Sequence, residues 1–340
     1  MPELPEVQTT VNGLKKTVVG LTISAVWTDL ARKNINRPDY KDSIKYLPFF
    51  EQFKKSVHGA KIVSAERRAK NILINLSNEK TLKHDGSCSG KTILIHMKMT
   101  GHLMYGTYIK RSKAESVKSK VEYWEPSPKE KNGALRDPFN RFLHFVITFT
   151  NGKSLVLSDV RKFAKVTLLS TVDAHATKPA RLNGFSRSGR HLDNLGPEPL
   201  EKHFDFKQFS ECINRKPKGK IKSVLMDQSI LSGVGNIYSD EALWLAGVHP
   251  LSVVAKIPHE KALALFHAVQ SVLKKGIDFR GDSTSDYRQI DGTRGDFSHE
   301  HNAYRLAKTP CKKRGCSGTI HRIVVGGRSA HFCPVHQKEY

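Results

Sequence analysis

The sequence predicts an α+β protein: a β-rich N-terminal region led by a helix, a helical second region and a small cysteine-bearing tail. Three observations predict it. Between about residues 21 and 169, apolar residues alternate in short runs bounded by turn residues, the period of half-buried strands. Past a stretch rich in glycine, proline and basic residues, the apolar period lengthens to that of helices. Three of the five cysteines fall within the last 30 of 340 residues. That length accommodates more than one core, and the composition shifts divide the chain at 1–175, 176–200 (a linker), 201–300 and 301–340.

The chain opens MPELPEV. Pro5 suits a first helical position, and Glu6 in the first turn complements the helix dipole. Val7, Val11 and Leu14 follow at helical spacing until Gly20 closes the pattern. Pro2 and Glu3 have no role in that helix start. KNILINL and KTILIHMKM read as strands, and FVITFT-NG-KSLVLS as a hairpin turning at Asn151-Gly152. The polar stretch between about 107 and 140 reads as a solvent-exposed insertion loop. TKPARLNGFSRSGRHLDNLGPEPL is the linker. Phe206, Phe209 and Ile213 then mark one helix and Ile221, Val224 and Leu225 a second. KALALFHAVQSVLKKG gives a longer one, ended by Gly276. Cys88 and Cys212 stand apart, as free thiols.

Charge narrows the function. Fifty-six Lys and Arg against 32 Asp and Glu give a formal net charge of +24, which draws polyanions; nucleic acid is the first candidate partner and an anionic membrane surface the second. No apolar run is long enough to span a membrane, and the acidic N-terminus does not fit a secretory signal, so a cytoplasmic protein is expected.

Two motifs carry chemistry. In the tail, Cys311 and Cys316 form one close pair and Cys333 and His336 another, the donor set of a closed tetrahedral zinc site, structural because protein fills all four positions. Between the pairs, β-prone runs flank Gly326-Gly327, so a ribbon hairpin is expected, with Arg328 at its turn able to reach a phosphate or a minor groove. Upstream, SVLMDQSILSGVGNIYSDEALWLAGVHP reads as two amphipathic segments joined by SGVGN. Its glycines permit close approach, and the amides opening the second helix suit an anion such as DNA phosphate, with Asn236 as an added donor.

In this order, MPELPEV, DVRKF, LGPEPL, SGVGNIYSDEAL and the cysteine tail resemble the formamidopyrimidine-DNA glycosylase family, which includes endonuclease VIII. The resemblance spans essentially the whole chain. It implies an N-terminal β-sandwich, a helix–two-turn–helix domain and a zinc-ribbon hairpin. It also implies a bifunctional DNA glycosylase and abasic-site lyase of base excision repair, a monomer acting on double-stranded DNA that contains oxidised bases or abasic sites, with one structural zinc. Met1 is removed in such enzymes, and the amine of Pro2 becomes the nucleophile. An α-amino group titrates near 7.7–8.0 against about 10.4 for lysine, which leaves a reactive neutral fraction at pH 7. Glu3 then resembles the acid that protonates the sugar ring oxygen, Glu6 a supporting group, and Lys70 the contact to the phosphate beside the lesion. Met99, Arg161 and Phe163 resemble the residues that fill the gap left by a flipped nucleotide. Lys222, Asn236 and Arg328 correspond to phosphate-binding positions, and Glu241 to an acid that stabilises the domain junction.

Two departures stand out. His336 replaces the usual fourth cysteine. In RGDSTSDYRQIDGTRGDF, which resembles the loop covering the flipped base, Ser285 stands where a basic residue is common. MPELPEV and the covering loop favour oxidised purines (formamidopyrimidine, 8-oxoguanine). An endonuclease VIII-like preference for oxidised pyrimidines and a noncatalytic zinc-ribbon DNA-binding protein are the competing readings.

Overall fold

The computed structural model describes residues 2–77, 90–116, 119–171, 192 and 194–340. Cys88 and most of the expected linker, including 176–191, lie outside the described residues. The chain divides into two compact units. The first comprises Met1–Pro2, Glu6–Asp193 and Asp282–Gly295; the second comprises Glu3–Pro5, Asn194–Gly281 and Asp296–Tyr340.

The first unit is a sandwich of two antiparallel four-stranded sheets. Its strands are β1 (Ile23–Thr28), β2 (Lys61–Arg68), β3 (Asn71–Ser77), β4 (Lys91–His96), β5 (His102–Gly106), β8 (Leu143–Phe149), β9 (Ser154–Ser158) and β10 (Lys165–Ser170), ordered β1-β8-β9-β5 and β10-β4-β3-β2. The alternation that predicted strands sets the core. Phe145, Ile147 and Phe149 on β8, with Leu155 and Leu157 on β9, enter one buried cluster with Ile72, Ile74, Ile93 and Ile95 of the other sheet. Each such side chain contributes about 1.5–3 kcal/mol. Asn151-Gly152 turns the β8–β9 hairpin, with Gly152 at φ +79°. Helix α1 (Leu4–Thr17) adds Val7, Val11 and Leu14 to the cluster.

Two features depart from the reading of this region as mainly strands and turns. Leu47–Val57 is a helix, α2, which buries Phe50, Phe53 and Val57; these residues fit a helical stripe that short alternating runs on either side conceal. The 107–140 stretch is no simple loop. Its first half is the hairpin of β6 (Tyr108–Ser116) and β7 (Ser119–Pro126), and its second half holds two 3-10 turns, Gly133–Arg136 and Pro138–Asn140. Tyr108 and Leu135 from this insertion join Met104, Val146 and Val156 in a second cluster on the outward face of the β5–β9–β8 sheet, with Trp124 tilted against Trp27 at 6.3 Å.

The second unit is helical: α3 (Phe206–Ile213), capped by Asp205, α4 (Ile221–Met226), α5 (Asn236–Ala246) and α6 (His259–Asp278). Gly276 does not end α6, which runs on to Asp278. A Cβ at Gly276 would lie 2.4 Å from the Tyr238 ring, so this glycine is a packing gap. Past α6 comes a hairpin, β11 (His321–Val325) and β12 (Arg328–Phe332), whose turn places Gly326 and Gly327 at φ +56° and +73°. This is the two-residue turn with left-handed dihedrals that suits glycine pairs. No helix among the described residues is long and apolar enough to cross a membrane.

Candidate active site

In the second unit, the SGVGN glycines make room for the N-terminal segment. Gly233 sits at φ +93°, its carbonyl accepts from Leu4 N at 3.0 Å, and a Cβ there would lie 2.7 Å from Leu4. At Gly235 a Cβ would lie 2.4 Å from the Glu3 carboxyl carbon. The Ile237 amide, in the first turn of α5, donates to Glu3 Oε1 at 2.9 Å. The group seated at this helix start is therefore the chain's own Glu3 carboxyl, which accepts where the first amides of α5 have no partner within the helix. Gln228 stitches the same turn by donating to the Met226 and Val234 carbonyls and accepting from Gly233 N. Pro2 and Glu3 are both buried.

In the first unit, Glu6 is buried and its Oε1 accepts from Asp282 N at 2.8 Å, while its carbonyl accepts from the Tyr287 hydroxyl at 3.1 Å. Glu6 thus anchors both ends of the first stretch of the 282–295 segment. Burial pushes the Tyr287 phenol well above its ordinary range, so it stays protonated and can only donate to that carbonyl. Lys70 occupies the β2–β3 turn beside Ala69, whose φ is +54°. It is 5% exposed, not a free strand-end charge.

The expected gap-filling residues occupy two turns that one carboxylate joins. Met99 lies between β4 and β5, and Arg161 and Phe163 between β9 and β10. Asp159 accepts through Oδ1 from the Thr100 hydroxyl, and through Oδ2 from Ala164 N at 2.7 Å. Arg161 and Phe163 are exposed, with the guanidinium 4.6 Å from the ring centroid. Lys45 braces the second turn by donating to the Lys162 carbonyl at 2.7 Å, and burial lowers its ammonium to about 8. Asp159 stood in the quoted DVRKF motif, but its role needed the fold: two turns distant in sequence had to become neighbours.

Of the three expected phosphate contacts in the second unit, Arg328 is exposed at the hairpin turn and Asn236 is half-buried at the start of α5. Lys222 is different. It is fully buried, donating to Asp240 Oδ1 at 2.5 Å, Ser239 Oγ at 3.1 Å and the Asn236 carbonyl at 3.3 Å. An ammonium so enclosed touches no phosphate; it fixes the helix start that presents Asn236. Asp240 Oδ2 meets both the backbone N–H of His331, at 3.0 Å, and its Nδ1, at 2.9 Å. One carboxylate therefore links α4, α5 and the β11–β12 hairpin. Glu241 accepts from the amides of Asn302, Ala303 and Tyr304, tying α5 to the chain just before the cysteine tail.

The tail brings the Sγ atoms of Cys311, Cys316 and Cys333 and a ring nitrogen of His336 within 4.8 Å of one another. Cys316 Sγ to Cys333 Sγ is 3.6 Å and Cys311 Sγ to His336 Nδ1 is 3.3 Å. A tetrahedral ion with Zn–S near 2.3 Å sets sulfur pairs about 3.8 Å apart, so the donor set fits. The other ring nitrogen, Nε2, donates to the Trp244 carbonyl at 3.0 Å, which turns Nδ1 toward the sulfurs. Burial holds His336 below its ordinary pKa, in the neutral form a metal requires. Trp244 Nε1 and Gly318 N each donate to a cysteine sulfur.

Comparison with known proteins gives one consistent result. The family model for the formamidopyrimidine-DNA glycosylase N-terminal domain matches residues 1–166, and that for the formamidopyrimidine-DNA glycosylase H2TH domain matches residues 195–288. Curated formamidopyrimidine-DNA glycosylases from Herpetosiphon aurantiacus and Roseobacter denitrificans are 34% and 31% identical, each alignment covering 99% of this chain and 100% of the relative. Among solved structures, Lactococcus lactis Fpg in complex with DNA containing an abasic site superposes with a TM-score of 0.73 at 27% identity, covering 99% of this chain and 100% of the other.

Proposed function

The chain belongs to the formamidopyrimidine-DNA glycosylase family, DNA glycosylases of base excision repair, and from that premise we propose a bifunctional enzyme that excises oxidised purines and then cleaves the strand. The observation that carries the proposal is the placement of Glu3: buried next to Pro2, gripped by the Ile237 amide, in a gap that Gly235 alone leaves open. A proline serving only as a helix start needs none of this. With Met1 removed, the Pro2 amine attacks C1′ of the damaged nucleoside, and the C1′–N bond breaks as the base departs. Glu3 protonates the opening sugar ring at its oxygen. The cationic Schiff base acidifies the neighbouring sugar C–H bonds, and β then δ elimination releases the strand on both sides. Lys70 serves the phosphate beside the lesion. Met99, Arg161 and Phe163 occupy the vacated stack, and Asn236 and Arg328 hold phosphates, with Lys222 positioning Asn236. The 282–295 segment covers the flipped base.

Single-turnover excision of 8-oxoguanine opposite cytosine should exceed that of thymine glycol. Thymine glycol removed much faster would replace this assignment with the pyrimidine-directed one.

One structural zinc at Cys311, Cys316, Cys333 and His336 belongs to the same proposal; when bound it would fasten the hairpin that carries Arg328. His336→Ala should retain less zinc per protein by mass spectrometry and bind duplex DNA more weakly, while His321→Ala keeps both. Full zinc content in His336→Ala would show that another residue is the fourth ligand.

A further inference from the structure

The second half of the 107–140 insertion and the base-covering segment are built into each other. Arg288, on the covering segment, is 1% exposed. Its Nη1 donates to the Ser285 carbonyl at 2.9 Å and the Tyr287 carbonyl at 2.8 Å, gripping the backbone on either side of Asp286. Its guanidinium lies 4.8 Å from the Phe139 ring centroid, and Nη2 meets Asp137 Oδ1 at 3.4 Å. Asp137 Oδ2 lies 3.9 Å from Arg294, at the far end of the same segment. Asn132 Nδ2 donates to the Asp291 carbonyl at 2.6 Å, and Asn140 Nδ2 donates to those of Ala134 at 2.8 Å and Gly292 at 3.2 Å. Asn140 Oδ1 also meets Nε2 of buried His102, three residues past Met99 in the chain. Burial lowers His102 to about 4, so its ring is neutral and donates through Nε2.

Against this scaffold the tip is open, as are the Asp291 and Arg294 side chains. Ser285 is exposed, whereas Tyr287, Arg288 and Gln289 are buried. We propose that Asn132–Asn140 is a brace that holds the covering segment in its base-holding shape before DNA arrives, with Asp137 as the positioning residue that acts through Arg288 and Arg294. Discrimination among bases then comes from a preset tip, with its shape fixed from outside, in place of a long basic side chain at position 285. This rests on the covering role proposed above. A segment already ordered loses less conformational freedom when it closes on a base, so removing the brace weakens base-dependent steps and spares chemistry at the sugar.

The test is Asp137→Asn, which keeps an oxygen for the Phe139 amide it caps at 2.9 Å but removes the charge facing both arginines. Excision of 8-oxoguanine should fall by about tenfold or more, cleavage at a preformed abasic site should stay within about twofold, and amide exchange should quicken across 283–294 alone. Asp137→Glu, with longer reach, should restore excision. Arg288→Lys keeps the ion pair but gives up the double grip on Ser285 and Tyr287, and should show the same split. Unchanged excision in both Asp137→Asn and Arg288→Lys, or equal loss on base and abasic substrates, overturns the brace. Wild-type protein inactive on both substrates would instead refute the proposed function itself.

Discussion

Protein that keeps Met1 is expected to lose strand cleavage at an abasic site by about 10⁴-fold or more, the scale on which enzymes slow when a covalent nucleophile is removed. With Met1 in place, the Pro2 nitrogen is a tertiary amide with no lone pair to offer C1′. Binding should survive, because the phosphate contacts proposed for Asn236 and Arg328 belong to other segments. A variant with an added residue between Met1 and Pro2, verified by intact mass, provides the comparison. Pro2→Gly keeps a free amine and should retain slow cleavage. Loss of DNA binding alongside cleavage in the extended variant would point to a misplaced N-terminus, which the duplex-binding arm of the experiment reads directly.

The second large effect is on stability. Lys222 and Asp240 are both fully buried, and Asp240 supplies the counter-charge for Lys222 and the acceptor for the His331 amide. Asp240→Ala leaves a buried ammonium uncompensated, and about 3–5 kcal/mol of unfolding free energy should disappear. Because two desolvated charges repay little over apolar side chains of similar size, Lys222→Met combined with Asp240→Leu should recover much of that loss. Denaturant unfolding of the wild type, Asp240→Ala, Lys222→Met, Asp240→Leu and the Lys222→Met, Asp240→Leu double variant measures the loss and closes the cycle. A loss below about 1 kcal/mol in Asp240→Ala would mean that water reaches Lys222, and that the link between α5 and the hairpin is weaker than its geometry implies.

What the sequence made legible follows from which signals are local. Alternation at Phe145, Ile147 and Phe149 read correctly as strand, and the cysteine spacing found the four-donor cluster, because each pattern depends only on neighbours in the chain. SGVGN was legible as a close approach of backbone to an anion. That the acceptor is the Glu3 carboxyl was not, since more than two hundred residues separate them and a phosphate makes the same demand on the glycines. Lys222 reads as a surface cation until α5 brings Asp240 against it. Gly276 looked like a stop because a helix-ending glycine and a packing glycine have the same sequence signature; only the Tyr238 ring distinguishes them. The insertion looked like a loop because Lys110 and Arg111 give its strands a charged surface. Both are paired across the hairpin, with Glu122 and Glu125, and Trp124 is its anchor.

The most direct measurement is borohydride trapping of the processed protein on duplex DNA with a single abasic site, followed by proteolysis and mass mapping of the adduct. A covalent adduct on the N-terminal peptide beginning at Pro2, absent from protein that retains Met1, is the predicted result. An adduct on a lysine such as Lys70, or one formed equally well with Met1 intact, would contradict it.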